Sequence, residues 1–173
     1  MADPTATRPT ERPRRCARAL WLVGLIAWSA AAQDGGAGVP DMERRVAERI
    51  NTLREDAGRA ALERRAELNS IARDYSRAMY RKDFFAHTGP QGRDVSDRVR
   101  AAGLCYRVVG ENIAHNRNLA DPADAAVQGW MESPGHRRNI LNPDFAQTGV
   151  GVWRAGDAYY FTQVFFTPGG PCP

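Results

Sequence analysis

His87, Glu111 and His136 are the side chains of this sequence whose types could do chemistry together. Glu111 stands in Gly110-Glu111-Asn112-Ile113-Ala114, directly after the apolar pair Val108-Val109. Glutamate is disfavoured in β-prone sequence, so an acid here predicts a side chain aimed from the end of a short strand into a cleft. An imidazole facing it would form a hydrogen-bonded pair in which the carboxylate fixes the ring tautomer. Such a pair can serve as a general base. With His136 as a third ligand it could instead hold Zn2+ and a water, so a divalent metal is the candidate cofactor. The three residues have no local spacing of a known kind, and neither H-E-x-x-H nor G-x-S-x-G occurs. Ser133 lies three residues before His136, but it reads as a helix cap and not as a nucleophile. No catalytic residue is assigned. The plain alternative is that His87 and Glu111 satisfy buried polar groups, and that His136 bonds to nearby backbone. His115 is expected to be exposed and carries no role.

The chain has 173 residues, 43% of them hydrophobic, enough to bury the core of one domain. Its first 32 residues read as a secretory signal peptide. Arg8, Arg12, Arg14, Arg15 and Arg18 form a basic start, residues 20–32 are apolar or small, and Ala30-Ala31-Ala32 supplies an A-x-A cleavage pattern. The apolar run is shorter than the ~20 residues a membrane-spanning helix needs. The chain is therefore expected to be secreted or periplasmic, and not an integral membrane protein once the signal is cleaved. That segment holds five arginines and two acids, +3 of the total +4, which leaves about +1 for the remainder. With no basic patch interleaved with aromatics, nucleic acid is not an expected partner. Two cysteines remain after cleavage. Export favours a Cys105–Cys172 disulfide, closing a loop worth ~4 kcal/mol in the chain-entropy model. A buried free Cys105 beside a loose tail thiol is the alternative.

The elements that must position these residues follow in order. Residues 33–40 form a Gly-rich linker. Asp41 after Pro40 predicts a helix cap, and Met42, Val46, Ile50 and Leu53 make one helical face ending near Gly58. A second helix starts around Arg65, with Leu68, Ile71, Ala72, Tyr75 and Met79 inward and Arg73, Arg77 and Arg81 solvated. Asp94 predicts the cap of a short third helix with Val95, Val99 and Ala102 as its stripe, ended by Gly103. The segment from Cys105 is β-prone, and residues 116–120 read as a polar loop. Asp121-Pro122 and Ser133-Pro134 each predict a helix start. Residues 148–153 and 158–166 flank Ala155-Gly156-Asp157 as a hairpin, and Gly149 and Gly151 predict a close approach to one face of its first strand. Helices first and a hairpin last imply an α+β fold. Trp130, Trp153 and the aromatics over 159–166 are expected in core and sheet packing.

FFAHTG (84–89), GENIA (110–114), WMESPGHRRNIL (130–141), GVGVW (149–153) and YYFTQVFF (159–166) together resemble the bacterial branch of the CAP superfamily. That superfamily comprises the cysteine-rich secretory proteins, antigen 5 and the pathogenesis-related proteins. The resemblance spans about residues 42–167 and implies an α-β-α sandwich with a central three-stranded antiparallel sheet, the domain covering 41–168 and a tail 169–173. In eukaryotic members two histidines and two glutamates line a cleft that can hold a divalent metal, and some members bind sterols or fatty acids. His87 and Glu111 match the first histidine and the glutamate of the GEN motif. Ser133 stands where the second glutamate is usual, with Glu132 one residue early, a rotation of about 100° on a helix. Tyr160 replaces the second histidine. The resemblance therefore implies His87 and Glu111 as cleft or ligand-binding residues, with Tyr160 in the second histidine's place and a metal cage that is incomplete; His136 of the SPGH turn is the candidate that could enter the cleft instead.

Three functions follow as expectations. The first is an exported domain binding a lipid, peptide or glycan in a His/Glu-lined cleft at the cell envelope. The second is a metal-dependent hydrolase using His87, Glu111 and His136. The third is a structural or interaction domain with a vestigial site.

Overall fold

Apolar residues at helical spacing build the first element. In the computed structural model, which describes residues 38–170, α1 spans Val39–Asp56 and buries Val46, Ala47 and Ile50. Pro40 occupies its first turn, where a missing N–H costs nothing. The helix therefore starts ahead of Asp41, which lies inside the first turn and is not the cap; Gly38 takes that place. The expected signal peptide (1–32), most of the 33–40 linker and Cys172 lie outside the described residues.

α2 (Ala66–Arg81) buries Leu68, Ile71, Ala72, Tyr75 and Met79, the predicted stripe, and Ser76 besides. α3 (Val95–Ala101) opens on a capping box between Asp94 and Asp97, and Gly103, at φ +75°, turns the chain out of it. Of its predicted stripe, Val99 is buried, Val95 is half-buried and Ala102 is exposed. α4 (Pro122–Glu132) is capped by the Asp121 side chain, which accepts from the Asp124 N–H. α5 (Pro134–Leu141) has proline in its first turn, but the Ser133 side chain makes no capping bond.

The sheet corrects one expectation. It is four-stranded and mixed, in the order β1-β3-β4-β2, not three-stranded and antiparallel. β2 (Tyr106–Arg117) and β3 (Gln147–Ala155) flank β4 (Ala158–Pro168), all antiparallel. The added strand β1 (Glu63–Arg64) runs parallel to β3 at Gln147 and Thr148. Two residues carry no readable alternation. What places them is Asn51 of α1, whose side chain accepts from the Leu62 N–H at 2.8 Å and donates to the Leu62 carbonyl at 3.0 Å. Beyond β1 the outer edge of β3 is closed by side chains: the Val150 N–H donates to Asn69 Oδ1 at 2.9 Å and the Val152 N–H to Glu43 Oε1 at 3.2 Å.

Helices cover both faces. Val46, Ile50, Val127, Trp130, Phe161 and Phe165 form the core on the α1/α4 side. Leu68, Ala72, Val99, Val164 and Phe166 form it on the α2/α3 side. Arg54, fully buried, donates to the carbonyls of Ala60 (2.8 Å), Ile140 (2.6 Å) and Asn142 (2.9 Å), and so ties the end of α1 to the end of α5. Arg73 is exposed, as its position suggested, but its Nε also meets Oε1 of the buried Glu43 at 2.7 Å, and that bond raises its already high pKa. Near the end of the described residues the Gly169 N–H donates to the Cys105 carbonyl at 2.9 Å.

α2 rests on β3 through the two predicted glycines. A Cβ at Gly149 would lie 2.2 Å from the Leu68 carbonyl carbon, and one at Gly151 2.0 Å from the Arg73 nitrogen. Both neighbours are helix backbone, which cannot rotate aside. Gly151→Val should therefore cost at least ~3 kcal/mol, about 10 °C in Tm for a domain of this size, measured by thermal unfolding followed by circular dichroism. Gly129→Ala, on the exposed side of α4 with nothing within 4 Å of the added methyl, should leave Tm unchanged or raise it by a gain of up to about 1 kcal/mol.

Candidate functional site

The register of the sheet determines what meets Glu111. On the face toward α2, three rows run across β2, β4 and β3: Glu111–Val164–Gly149, Ile113–Thr162–Gly151 and His115–Tyr160–Trp153. Glu111 lies in the middle of β2 and not at the end of a short strand. β4 pairs with β2 from Tyr106 to Arg117, so the strand continues through the motif and two residues into the expected polar loop. On the opposite face, Asn112 donates to the His136 carbonyl at 3.2 Å, and Asn139 donates to the Glu111 carbonyl at 3.0 Å and to Asn112 Oδ1 at 2.9 Å. These three bonds fix α5 against the strand behind Glu111.

His87 reaches Glu111 from the loop after α2. Asp83, at φ +49°, reverses the chain, and the Phe84 N–H donates back to the Met79 carbonyl at 3.0 Å. Tyr75 of α2 donates its hydroxyl to the Ala86 carbonyl at 2.5 Å, and Phe84 packs edge-on against the Tyr75 ring at 5.8 Å. His87 Nδ1 then lies 2.9 Å from Glu111 Oε1. The Glu111 side chain is 2% exposed and that of His87 is 53% exposed. The carboxylate is withdrawn from water while the imidazole keeps an open edge. With Nδ1 donating to the carboxylate, Nε2 is left as the outward nitrogen.

Arg98 of α3 completes the arrangement. Its guanidinium pairs with Glu111 Oε2, lies over the Tyr75 ring at 3.3 Å from the centroid, and donates to the carbonyls of His87 (3.3 Å) and Arg93 (3.1 Å). One cation thus neutralises the buried carboxylate and ties down the loop that carries the histidine. Burial raises the Tyr75 hydroxyl pKa, with the Arg98 charge opposing it, so Tyr75 stays neutral and free to donate.

The structure brings His136 near but not into the pair: its ring is 6.1 Å from that of His87, centroid to centroid. Burial, then the neighbouring His87, lowers its pKa, which keeps its imidazole neutral at pH 7. Glu132 is exposed and accepts from Gln128 one turn earlier at 2.9 Å. Tyr160 lies two rows from Glu111, stacked on His115 at 4.3 Å. Although His115 is exposed overall, partial desolvation of its ring, stacked on Tyr160, and then Arg117 lower its pKa. Sequence reasoning missed Arg98 and Tyr75. Arg98 sits at i+3 from Val95 and beside Val99, on the apolar stripe of α3, and a charge on such a stripe is the signal that could have found it. A cavity of about 370 Å³ adjoins these two residues between α2 and α3, walled by Ile71, Tyr75, Phe84, Pro90, Arg93 and Arg98. His87, Glu111, His136 and Tyr160 do not line it.

The donor set does not fit a metal. Each oxygen of Glu111 already has a partner, one of them a permanent cation, and a dication beside a guanidinium is repelled. Two imidazoles remain, short of the three protein ligands of a catalytic zinc site. Among the described residues no group of three His, Cys, Asp or Glu side chains could hold an ion.

Comparison with known proteins agrees with the architecture. The chain is 36% identical to the uncharacterized protein YkwD of Bacillus subtilis over 123 residues, 71% of this chain and 46% of that protein. The 1.5 Å crystal structure of an extracellular protein containing a SCP domain from Bacillus anthracis matches 74% of this chain and 41% of its own, at 28% identity and TM-score 0.64. The chain thus spans less than half the length of either. The crystal structure of NaASP2 with Zn2+ shares the fold alone, at 15% identity and TM-score 0.54 over 79% of this chain and 91% of that one. Among the described residues no helix is long and apolar enough to cross a membrane. The model of the cysteine-rich secretory protein family, CAP, matches residues 47–165, and the chain belongs to that family.

Proposed function

We propose that the chain is an exported CAP domain, secreted or periplasmic, that binds a small or extended ligand (a lipid, peptide or glycan) beside His87 at the cell envelope. The observation that carries this reading is the asymmetry of the central pair: a half-open imidazole held in one tautomer by a carboxylate almost sealed from water. A pair serving only to fill the interior would hide both partners; this one presents Nε2 outward on a fixed ring. The adjoining cavity, at about 370 Å³, falls within the ~300–1,000 Å³ typical of small-ligand sites. Its wall is Arg98 on Tyr75, the same unit that clamps Glu111, so ligand contact there would be felt at His87. Export is supported by the basic and apolar character of residues 1–32 and by the extracellular relative in Bacillus anthracis. Metal-dependent hydrolysis through His87, Glu111 and His136 has no support from the donor set described above, and no step is derived through a metal.

Native mass spectrometry of the protein isolated from its own host should find a retained small molecule. His87→Ala should abolish that retention with Tm shifted by less than about 2 °C, since half the imidazole faces solvent. A large loss of Tm with no bound molecule in either form would make the pair purely structural. Micromolar Zn2+ should leave Tm unchanged, as should EDTA; one tightly held zinc per chain by elemental analysis would overturn the fit argument. A Cys105–Cys172 bridge is part of the same proposal, supported by the return of Gly169 to the Cys105 backbone. Intact mass should rise by two hydrogens on reduction, and an unchanged mass would leave two thiols.

A further inference from the structure

The third row of the sheet, beyond the C-terminal end of α2, is the feature the His87 site does not use. His115, Tyr160 and Trp153 lie side by side across β2, β4 and β3. Tyr80 from the last turn of α2 and Phe85 from the following loop join them. The ring centroids are spaced 6.4 Å (Trp153 to Tyr80), 5.9 Å (Tyr80 to Tyr160), 4.3 Å (Tyr160 to His115) and 6.2 Å (His115 to Phe85). Five rings from five separate segments therefore make one continuous ribbon. Tyr80 is 43% exposed and Phe85 52%, and His115 is exposed as well. Packing explains Trp130 and Phe161, which are buried; it does not explain aromatic residues gathered in the open.

We propose that this ribbon is a carbohydrate-binding platform for a neutral, β-1,4-linked glycan. Sugars in that linkage present flat faces of C–H bonds, whose partial positive charge is attracted to the negative face of an aromatic ring. Their hydroxyls project from the rim and need polar partners there. Tyr80 and Phe85, on either side of the stacked His115–Tyr160 pair, supply exposed ring surface, and that pair supplies the polar partners. The Tyr80 and Tyr160 hydroxyls and the His115 nitrogens make no hydrogen bond to the described residues, so they are left for a ligand. The depressed His115 pKa keeps that imidazole neutral, with one nitrogen donating and the other accepting, as paired hydroxyls require.

Charge decides against a polyanion. Arg117 at the border pairs with Asp157 at 3.9 Å, and the Arg81 guanidinium lies over Trp153 at 5.7 Å. Arg154, beside Trp153, donates to the Gly156 carbonyl at 2.8 Å; these three guanidiniums already have partners, whereas a nucleic-acid site keeps its cations for phosphate. A proline-rich peptide is the competing occupant of an aromatic row, and decaproline is the probe for it. The ribbon stands two rows, about 13 Å of strand, from Glu111, and the inference is independent of the His87 reading.

The test is calorimetric titration of the purified chain with cellohexaose and with chitohexaose. At least one should bind saturably. The Tyr80→Ala/Phe85→Ala double variant should bind about tenfold more weakly at unchanged Tm, because both side chains are largely exposed. Gly129→Ala, on the exposed side of α4 and outside both sites, should bind the sugar as the parent does. The proposal falls if neither hexasaccharide binds, or if the double variant binds equally well. It falls equally if decaproline or oligo-thymidine binds in the sugars' place, or if the double variant dissociates a dimer of the chain and so marks the ribbon as a contact between copies.

Discussion

A carboxylate withdrawn from water is the constraint around which this molecule is arranged. Glu111 is charged, nearly sealed, and set in the middle of a strand where neither neighbouring backbone can neutralise it. A buried charge without partners would cost several kcal/mol. The fold meets the demand from two directions: α3 brings Arg98, and the loop after α2 brings His87. Each partner is itself restrained, Arg98 by the Tyr75 ring and two loop carbonyls, His87 by the loop that Tyr75 holds at Ala86. The loop, two helices and the strand are thus coupled through one carboxylate. Removing Arg98 would disturb more than a single bond, because the half-exposed His87 would be left to stabilise the charge alone.

The same arrangement explains how the chain differs from the metal cage its family resemblance suggested. A guanidinium occupies the electrostatic role that a cation would otherwise fill, with the difference that it cannot leave. His87 then answers to a fixed positive neighbour and not to an exchangeable ion. The departures seen at Ser133 and Tyr160 belong to the same picture. Glu132 turns to solvent, and Tyr160 joins an aromatic row instead of completing a ligand set.

Much of this was legible before any coordinates. The stripes of α1 and α2, the Asp94 and Asp121 caps, the hairpin and the two close-approach glycines were all carried by local periodicity and turn chemistry, which short windows of sequence encode directly. The juxtaposition of His87 and Glu111 was readable only through motifs met together in order. What escaped was non-local. Glu43, Arg54 and Arg98 were given no role, yet they occupy stripe positions beside Val46, Ile50 and Val99, and Arg73, read only as solvated charge, pairs with Glu43 from the next helix. β1 escaped because two residues have no period, and its position is set by Asn51 from another element. Charges found on an apolar stripe were the one overlooked signal that the sequence did contain.

The outer edge of β3 has a consequence of its own. A strand at the margin of a sheet ordinarily offers its amides to any passing chain, the route by which sheets accrete into larger assemblies. Here Asn69 and Glu43 already take those amides, and Glu43 is itself held by Arg73. A neighbouring molecule seeking to extend the sheet would have to displace a side-chain amide and break an ion pair before forming its first rung, so this margin gives polymerisation no foothold.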